Sequence, residues 1–453
     1  MKKLTSTNPY TGKVISEVAE WSEEQVAMAV EASEKAFLQY RNTGFKERKD
    51  RMLRVAALLR DGKEEHAGVI TAEMGKLKRE AIAEVEKCAW VCEYYAEHAE
   101  AFLQPQDITS DARYSGTVYQ PLGPLLAIMP WNFPFWQVYR FAAPNLMAGN
   151  TILLKHASNV QGCAAIIERL FREAGFEESV FTNLPISSSR VEKVIADQRV
   201  RGVTLTGSES AGRAVAASAG KYLKKSVLEL GGNNAFVVLD DADLLLAVEQ
   251  AMTGRLLNAG QSCIAAKRFI IQSGIYDAFL QQLSKRVKKL RHGDPFDLDT
   301  SLAPLFSTIQ ADEIERQVQD ALDKGAKLVM GGEKNEAFFE VTILTGVGPG
   351  MQVFDNETFG PVFAISKVDT VEEALALSNT SDFGLGMQVF TGSSATAGYF
   401  IEQANEGAVF VNGFVKSDPR LPFGGVKNSG YGRELAKEGI LEFVNCKTVW
   451  SNL

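Results

Sequence analysis

The stretch Val227-Leu228-Glu229-Leu230-Gly231-Gly232 sets one carboxylate in an apolar strand and follows it with two glycines. Glycine at a strand end marks a place where something else comes close to the backbone. Two series of alternating elements meet here. Upstream, strands are predicted at Tyr114–Gln120, Gly123–Met129, Thr151–Lys155, Val180–Leu184, Val203–Leu205 and Lys225–Glu229. Helices are predicted between them at Phe135–Leu146, Gln161–Ala174, Ser187–Ala196 and Ser208–Ala219. Downstream, strands at Asn234–Leu239, Arg268–Gln272, Lys327–Met330, Val362–Lys367 and Gly386–Phe390 alternate with helices at Leu244–Leu257, Tyr276–Leu290, Ala311–Lys324 and Val371–Ser378. Short strands alternating with helices imply parallel sheets with helices on both faces. The chain reads as α/β, with two doubly wound α/β domains joined near Leu230-Gly231-Gly232. Its 453 residues are too many for one simple core.

The start of the chain reads as mostly helical. Ser22-Glu23-Glu24-Gln25 is a capping-box pattern, and helices are expected at Lys46–Arg60, Lys63–Glu73 and Lys78–Phe102, the last ended by Pro105. At the other end, Phe443–Leu453 reads as a strand that pairs outside the main domains. A hydrophobic content of 45% and a charged content of 23% describe an ordinary globular protein. The net charge of −8 and the lack of a basic tract give no nucleic-acid footprint. Met1–Pro9 has charge but no apolar stretch behind it, and no apolar run approaches the roughly 18 residues of a membrane-spanning helix. Five cysteines without a Cys-x-x-Cys spacing suit a reducing cytoplasm. The four histidines show no ligand spacing, so no metal is expected.

Six places carry chemistry-bearing residues. Asn258-Ala259-Gly260-Gln261-Ser262-Cys263 is a small-residue turn between a helix and a strand, which by itself reads first as a small buried cysteine and otherwise as a partly exposed nucleophilic thiolate. In Pro130-Trp131-Asn132-Phe133-Pro134 a central amide on rigid backbone suits an oxyanion donor, or a structural Asx-turn. Glu229, if buried, would have a raised pKa and serve as a general base; if turned outward it is a solvated strand residue. Lys155 closes a strand at the sheet edge where ligands bind, or is a solvated strand end. Ser208 opens a helix directly after Gly207, as a pyrophosphate contact or a plain N-cap. Glu357-Thr358-Phe359-Gly360-Pro361 is a further loop of the same kind.

In this order and at these separations, the motifs resemble the aldehyde dehydrogenase superfamily, from about Asn8-Pro9 to the C-terminus. Pro422–Gly425 and Ser429–Glu434 extend the match. The resemblance implies that Cys263 attacks an aldehyde as thiolate, that Asn132 and the Cys263 N–H hold the oxyanion, and that Glu229 activates water against the thioester. It implies a dinucleotide held by Trp131, Lys155, Ser158, Gly207, Ser208, Leu230, Glu357 and Phe359. It implies a division into a dinucleotide-binding domain (1–102 and 122–230), a catalytic domain (231–442) and an oligomerisation element (103–121 and 443–453) that builds a homodimer or homotetramer. Family members that prefer NAD often carry Glu three residues after the lysine. Here that position is Ser158, which removes a carboxylate that would repel a 2′-phosphate, so NADP use with NAD tolerated is expected.

For the aldehyde, Met129–Val138, Leu154–Ala157 and Ala265–Arg268 look like the short bacterial succinate-semialdehyde dehydrogenases. Arg140 lies eight residues after Asn132, where those enzymes hold a carboxylate-binding arginine, and Ser417 matches an assisting serine. Arg140 reads equally as an interdomain ion pair. Leu257 stands where the better-known branch has a second arginine, with Lys416 or Arg420 as substitutes. Ala265 stands where some relatives carry a regulatory cysteine. The alternatives are oxidation of an aliphatic, amino or glutarate semialdehyde and, further off, a non-catalytic scaffold.

Overall fold

The computed structural model describes residues 2–453. Two parallel sheets form the frame, each with its own apolar core. The first has six strands in the spatial order Gly430–Tyr431, Lys225–Glu229, Gly202–Thr206, Pro124–Met129, Thr151–His156, Phe181–Asn183. The two strands Pro124–Met129 and Thr151–His156 are buried at every residue. That is the burial of a parallel sheet covered on both faces, and it explains their unbroken apolar runs. The register sets Ile128 beside Lys155 and Thr206 beside Glu229. The carboxyl ends of four strands therefore form one edge, where open α/β sheets bind ligands.

The second sheet has seven strands in the order Lys327–Met330, Thr342–Thr345, Val362–Val368, Ala266–Gln272, Asn234–Val238, Met387–Phe390, Val409–Val411. Only its first pair is antiparallel. The C-terminal strand Val444–Ser451 pairs antiparallel along Tyr114–Pro121, and Gln106–Asp107 completes a separate three-stranded sheet.

Most predicted elements appear with slightly shifted ends, and the helix Lys78–Phe102 and the strand Lys225–Glu229 match to the residue. Ser22 and Gln25 close the capping box on the helix Glu23–Tyr40. The mostly helical start needs correction. An antiparallel hairpin, Lys3–Thr7 with Val14–Ala19, precedes the first helix. Only Leu4 and Ser6 of it are buried, so its strands carry little hydrophobic signal. The strand Gly430–Tyr431, in the segment expected with the second domain, pairs with Leu228 and Glu229 of the first sheet. Phe423, Leu435, Ile440 and Phe443 likewise join the first core. Glycine supplies that strand's φ of +110° at Gly430, and a Cβ there would sit 2.0 Å from the Leu228 carbonyl.

Candidate active site

The turn before Cys263 is wound left-handed. Asn258, Ala259 and Gly260 have φ of 55°, 52° and 78°. Non-glycine residues hold such a backbone only where their surroundings over-determine it. Here the Asn258 N–H donates to Glu80 Oε2 at 3.2 Å, and its side-chain amide donates to the carbonyls of Asn132 at 2.8 Å and Gln261 at 3.2 Å. Asn132 Nδ2 donates to the same Gln261 carbonyl at 3.1 Å. The Asn132 turn and the cysteine turn are thus one hydrogen-bonded unit, although 129 residues separate the last pair. Gly260 is required as well, since a Cβ would lie 2.5 Å from the Gly360 carbonyl.

Cys263 is half-buried. It stands in the wall shared by two cavities, one of about 320 Å³ and one of about 140 Å³. Burial pushes its thiol up to about 11, opposed by Lys267 and then Arg140. At rest the group is therefore held as the thiol. The Gly231-Gly232 pair admits the close neighbours that its sequence announced. A Cβ on Gly232 would come 2.7 Å from the Cys263 carbonyl, and one on Gly231 2.5 Å from Glu357 Oε2.

The larger cavity is a cleft along the carboxyl edge of the first sheet. Trp131, Gly207, Ser208, Leu230, Glu357 and Phe359 all line it, as does Asn132. Trp131 stacks on Phe306 with centroids 3.8 Å apart and meets Phe359 edge-on. Ser208 is the N-cap of the helix Glu209–Lys221 and accepts from the Ala211 N–H at 3.4 Å, so the N-cap reading holds while the residue faces the cleft. Glu357 Oε1 is taken by Lys267 at 2.6 Å and by the Gly232 N–H at 3.1 Å, which leaves Oε2 open. Lys155 and Ser158 lie outside the cleft wall. Lys155 is buried, with its pKa lowered by desolvation, and has no partner among the described residues. A buried, unpaired ammonium at a ligand-binding edge fits a dinucleotide ribose or phosphate.

The smaller cavity is lined by Arg140, Ser417 and Leu257 together with Trp136, Phe414 and Phe423. Arg140 is buried, forms an ion pair with Glu434 and lies 4.6 Å from the Phe423 ring centroid. The ion-pair reading of this residue therefore holds, and the same side chain forms part of the cavity wall. Of the two substitutes for the missing arginine, Lys416 lines the cavity. Arg420 does not: it pairs with Asp418 at 2.7 Å and lies over Trp90. Ser417 accepts from Lys87 at 2.7 Å.

Glu229 is 2% exposed, so the solvated reading fails. Both carboxyl oxygens make no hydrogen bond among the described residues. Burial and the neighbouring Glu434 hold its pKa well above the usual carboxylate range, against the pull of Arg140. It lines neither cavity, and a Cβ on Gly424 would meet its Oε1 at 2.8 Å.

Three residues escaped the sequence reading. His156 sets Nδ1 against the Ala157 N–H at 2.9 Å and the Met129 carbonyl at 3.2 Å, and Nε2 against the Pro134 carbonyl at 2.9 Å. It ties the Asn132 turn to the carboxyl end of the strand Thr151–His156. Lys267 is fully buried beneath Cys263 and donates to its carbonyl at 3.0 Å. Lys87 enters the smaller cavity from the long helix Lys78–Phe102. An odd histidine beside Lys155 was the one visible signal among these.

The model of the aldehyde dehydrogenase family matches residues 1–449. A probable succinate-semialdehyde dehydrogenase [NADP(+)] of Synechocystis is 45% identical over 450 residues, covering 99% of each chain. The succinate semialdehyde dehydrogenase [NAD(P)+] Sad of Escherichia coli K12 is 43% identical over 450 residues, covering 99% of this chain and 97% of its own. Among solved structures, the succinic semialdehyde dehydrogenase of Streptococcus pyogenes in complex with NADP+ superposes with a TM-score of 0.96 at 40% identity, covering 99% of both chains. From residue 1 to residue 449, this chain belongs to the aldehyde dehydrogenase family.

Proposed function

We propose that the protein oxidises succinate semialdehyde to succinate, with NADP as the preferred hydride acceptor and NAD also used. The observation that carries this reading is the place of Cys263 in a wall common to two cavities. One is a cleft at the ligand edge of a doubly wound sheet; the other holds the Arg140 and Ser417 expected to meet a carboxylate.

In this mechanism the Cys263 sulfur bonds to the aldehyde carbon as the thiol proton passes to solvent water, which leaves the carbonyl oxygen with the negative charge. The carbonyl oxygen becomes an oxyanion between Asn132 Nδ2 and the Cys263 backbone N–H, donors that the shared turn holds in advance. The nicotinamide supplies the acceptor for the hydride that leaves this carbon. The thioester left on Cys263 is attacked by water. Glu229, whose pKa burial holds well above the usual carboxylate range, takes the water proton as the C–S bond breaks and the acid departs. Trp131, Gly207, Ser208, Leu230, Glu357 and Phe359 hold the dinucleotide in the cleft, and Lys155 and Ser158 hold its adenosine ribose. Ser158 presents no negative charge to a 2′-phosphate. The names of the Synechocystis and Streptococcus pyogenes relatives support NADP.

The cleft lies against the first sheet, which supports assigning 1–102 and 122–230 to dinucleotide binding and 231–442 to catalysis, with residues 423–442 packed back onto the first core. The three-stranded sheet of 103–121 and 443–453 offers an open edge strand with Trp450 exposed, which supports a role in building a homodimer or homotetramer.

The test is kcat/KM for succinate semialdehyde, glutarate semialdehyde and butanal with NADP and NAD. Succinate semialdehyde with NADP is expected to lead by about tenfold or more. Equal values for butanal would sink the substrate assignment, and a clear advantage for NAD would sink the cofactor assignment. Loss of all turnover in Cys263→Ser is the companion result.

A further inference from the structure

Leu257 puts an apolar side chain on the wall where a second carboxylate-binding cation was wanted, and Arg140 is already paired with Glu434. Another cation enters from an element that carries none of the motifs. On the long helix Lys78–Phe102, Glu80, Ala83, Glu84 and Lys87 recur at helical spacing and share the face that lines the smaller cavity. The Lys87 ammonium lies 4.2 Å from the Trp136 ring centroid and donates to Ser417 Oγ at 2.7 Å. It has no ion pair among the described residues. The nearby carboxylates are engaged elsewhere. Glu84 pairs with Lys76 and accepts from the N–H groups of Phe135 and Trp136 at 2.9 and 3.0 Å, and Asp418 pairs with Arg420. An ammonium has three donors, and here one neutral hydroxyl answers one of them.

We propose that Lys87 grips the carboxylate of the substrate, beside Ser417, and so takes the part of the arginine that Leu257 replaces. The proposal rests on the succinate-semialdehyde reading above. Lys87 is a binding residue in it: it recognises the end of the substrate remote from the aldehyde and enters no covalent step.

The charged and titratable groups facing Lys87 are Glu80, Glu84 and Cys88 on its own helix, Arg140 on the helix Trp136–Ala148, Cys263 across the cavity, and Lys416 and Asp418 on the loop after Phe414. Burial and then Arg140 bring the Lys87 pKa down to about 8. Burial brings Glu80 up to about 7. Rising pH therefore removes a positive charge at Lys87 and adds a negative one at Glu80, and both changes weaken the hold on a carboxylate.

The experiment compares kcat and KM for succinate semialdehyde and for butanal, an uncharged aldehyde of the same length, on the enzyme with NADP. Wild type, Lys87→Met and Lys87→Arg are measured from about pH 6.5 to about pH 9.5. Lys87→Met is expected to raise KM for succinate semialdehyde about tenfold or more, with kcat and the butanal KM within about twofold. Lys87→Arg keeps the charge and is expected to retain a low KM, without the wild-type rise centred near pH 8; any remaining rise near pH 7 belongs to Glu80. An equal KM increase for both aldehydes in Lys87→Met, which is what loss of packing against Trp136 predicts, would overturn the proposal, as would no increase for either. Should the Met variant fail to fold, an unchanged pH 8 rise in Lys87→Arg overturns it. Wild type without a preference for succinate semialdehyde overturns the underlying reading; a preference that Lys87→Met keeps overturns the role of Lys87 alone.

Discussion

At the scale of single residues, the site is set by how far burial moves each ionisable group. Cys263 is a thiol at rest because its environment costs the thiolate more than Lys267 and Arg140 return. Glu229 is raised for the same reason, with Glu434 adding to it. A general base must be ionised to act. Turnover is therefore expected to fall as pH drops through a value well above the ordinary carboxylate range. Glu229→Gln is expected to cut steady-state turnover about 10²–10⁴-fold while a stopped-flow burst of one reduced cofactor per active site survives. A variant that keeps full turnover would remove Glu229 from the mechanism. The residue types were legible in the sequence. Their ionisation was not, because desolvation depends on segments such as Gly424 and Glu434 that lie about two hundred residues from Glu229 in the chain.

At the scale of elements, long-range hydrogen bonds position the chemistry. The helix Trp136–Ala148 has no side-chain cap from its own sequence. Glu84, from another helix, receives its first N–H groups instead, and a buried Lys76 balances that carboxylate. His156 does comparable work between the Asn132 turn and a strand end. Burial depresses its pKa to about 4 from the ordinary 6.5. Protonation is then easier in the unfolded chain, so the stabilisation is complete above about pH 6.5 and is lost as pH falls toward about 4. The loss for this fully buried group is on the order of 3 kcal/mol. Denaturant melts of wild type and His156→Gln across this range check it. The two should differ in pH slope, and parallel slopes would refute the assignment. A local signal such as the Ser22 box identified the helix Glu23–Tyr40, but no local pattern reveals a cap supplied by a distant carboxylate.

For the whole molecule, the three-stranded sheet is where assembly is proposed. Val444–Ser451 is an edge strand whose outer side is open, and Trp450 is 55% exposed on it. An open edge of this length is normally covered or blunted. Trp450→Asp is expected to shift sedimentation toward a smaller species while the far-UV spectrum is kept; unchanged sedimentation would move the interface elsewhere. The sequence by itself determined the two alternating series, the join at Leu230-Gly231-Gly232, and the kinds of residue at the reactive positions. Strand and helix periodicity, caps and turn residues act over a few neighbours, so they can be read along the chain. Only the tertiary structure decided which side chains share a cavity with Cys263, that Arg140 is tied to Glu434, and that Lys87 reaches the wall where Leu257 leaves a gap. Those outcomes depend on which distant segments are packed together and how much water they exclude, and neither is encoded in spacing.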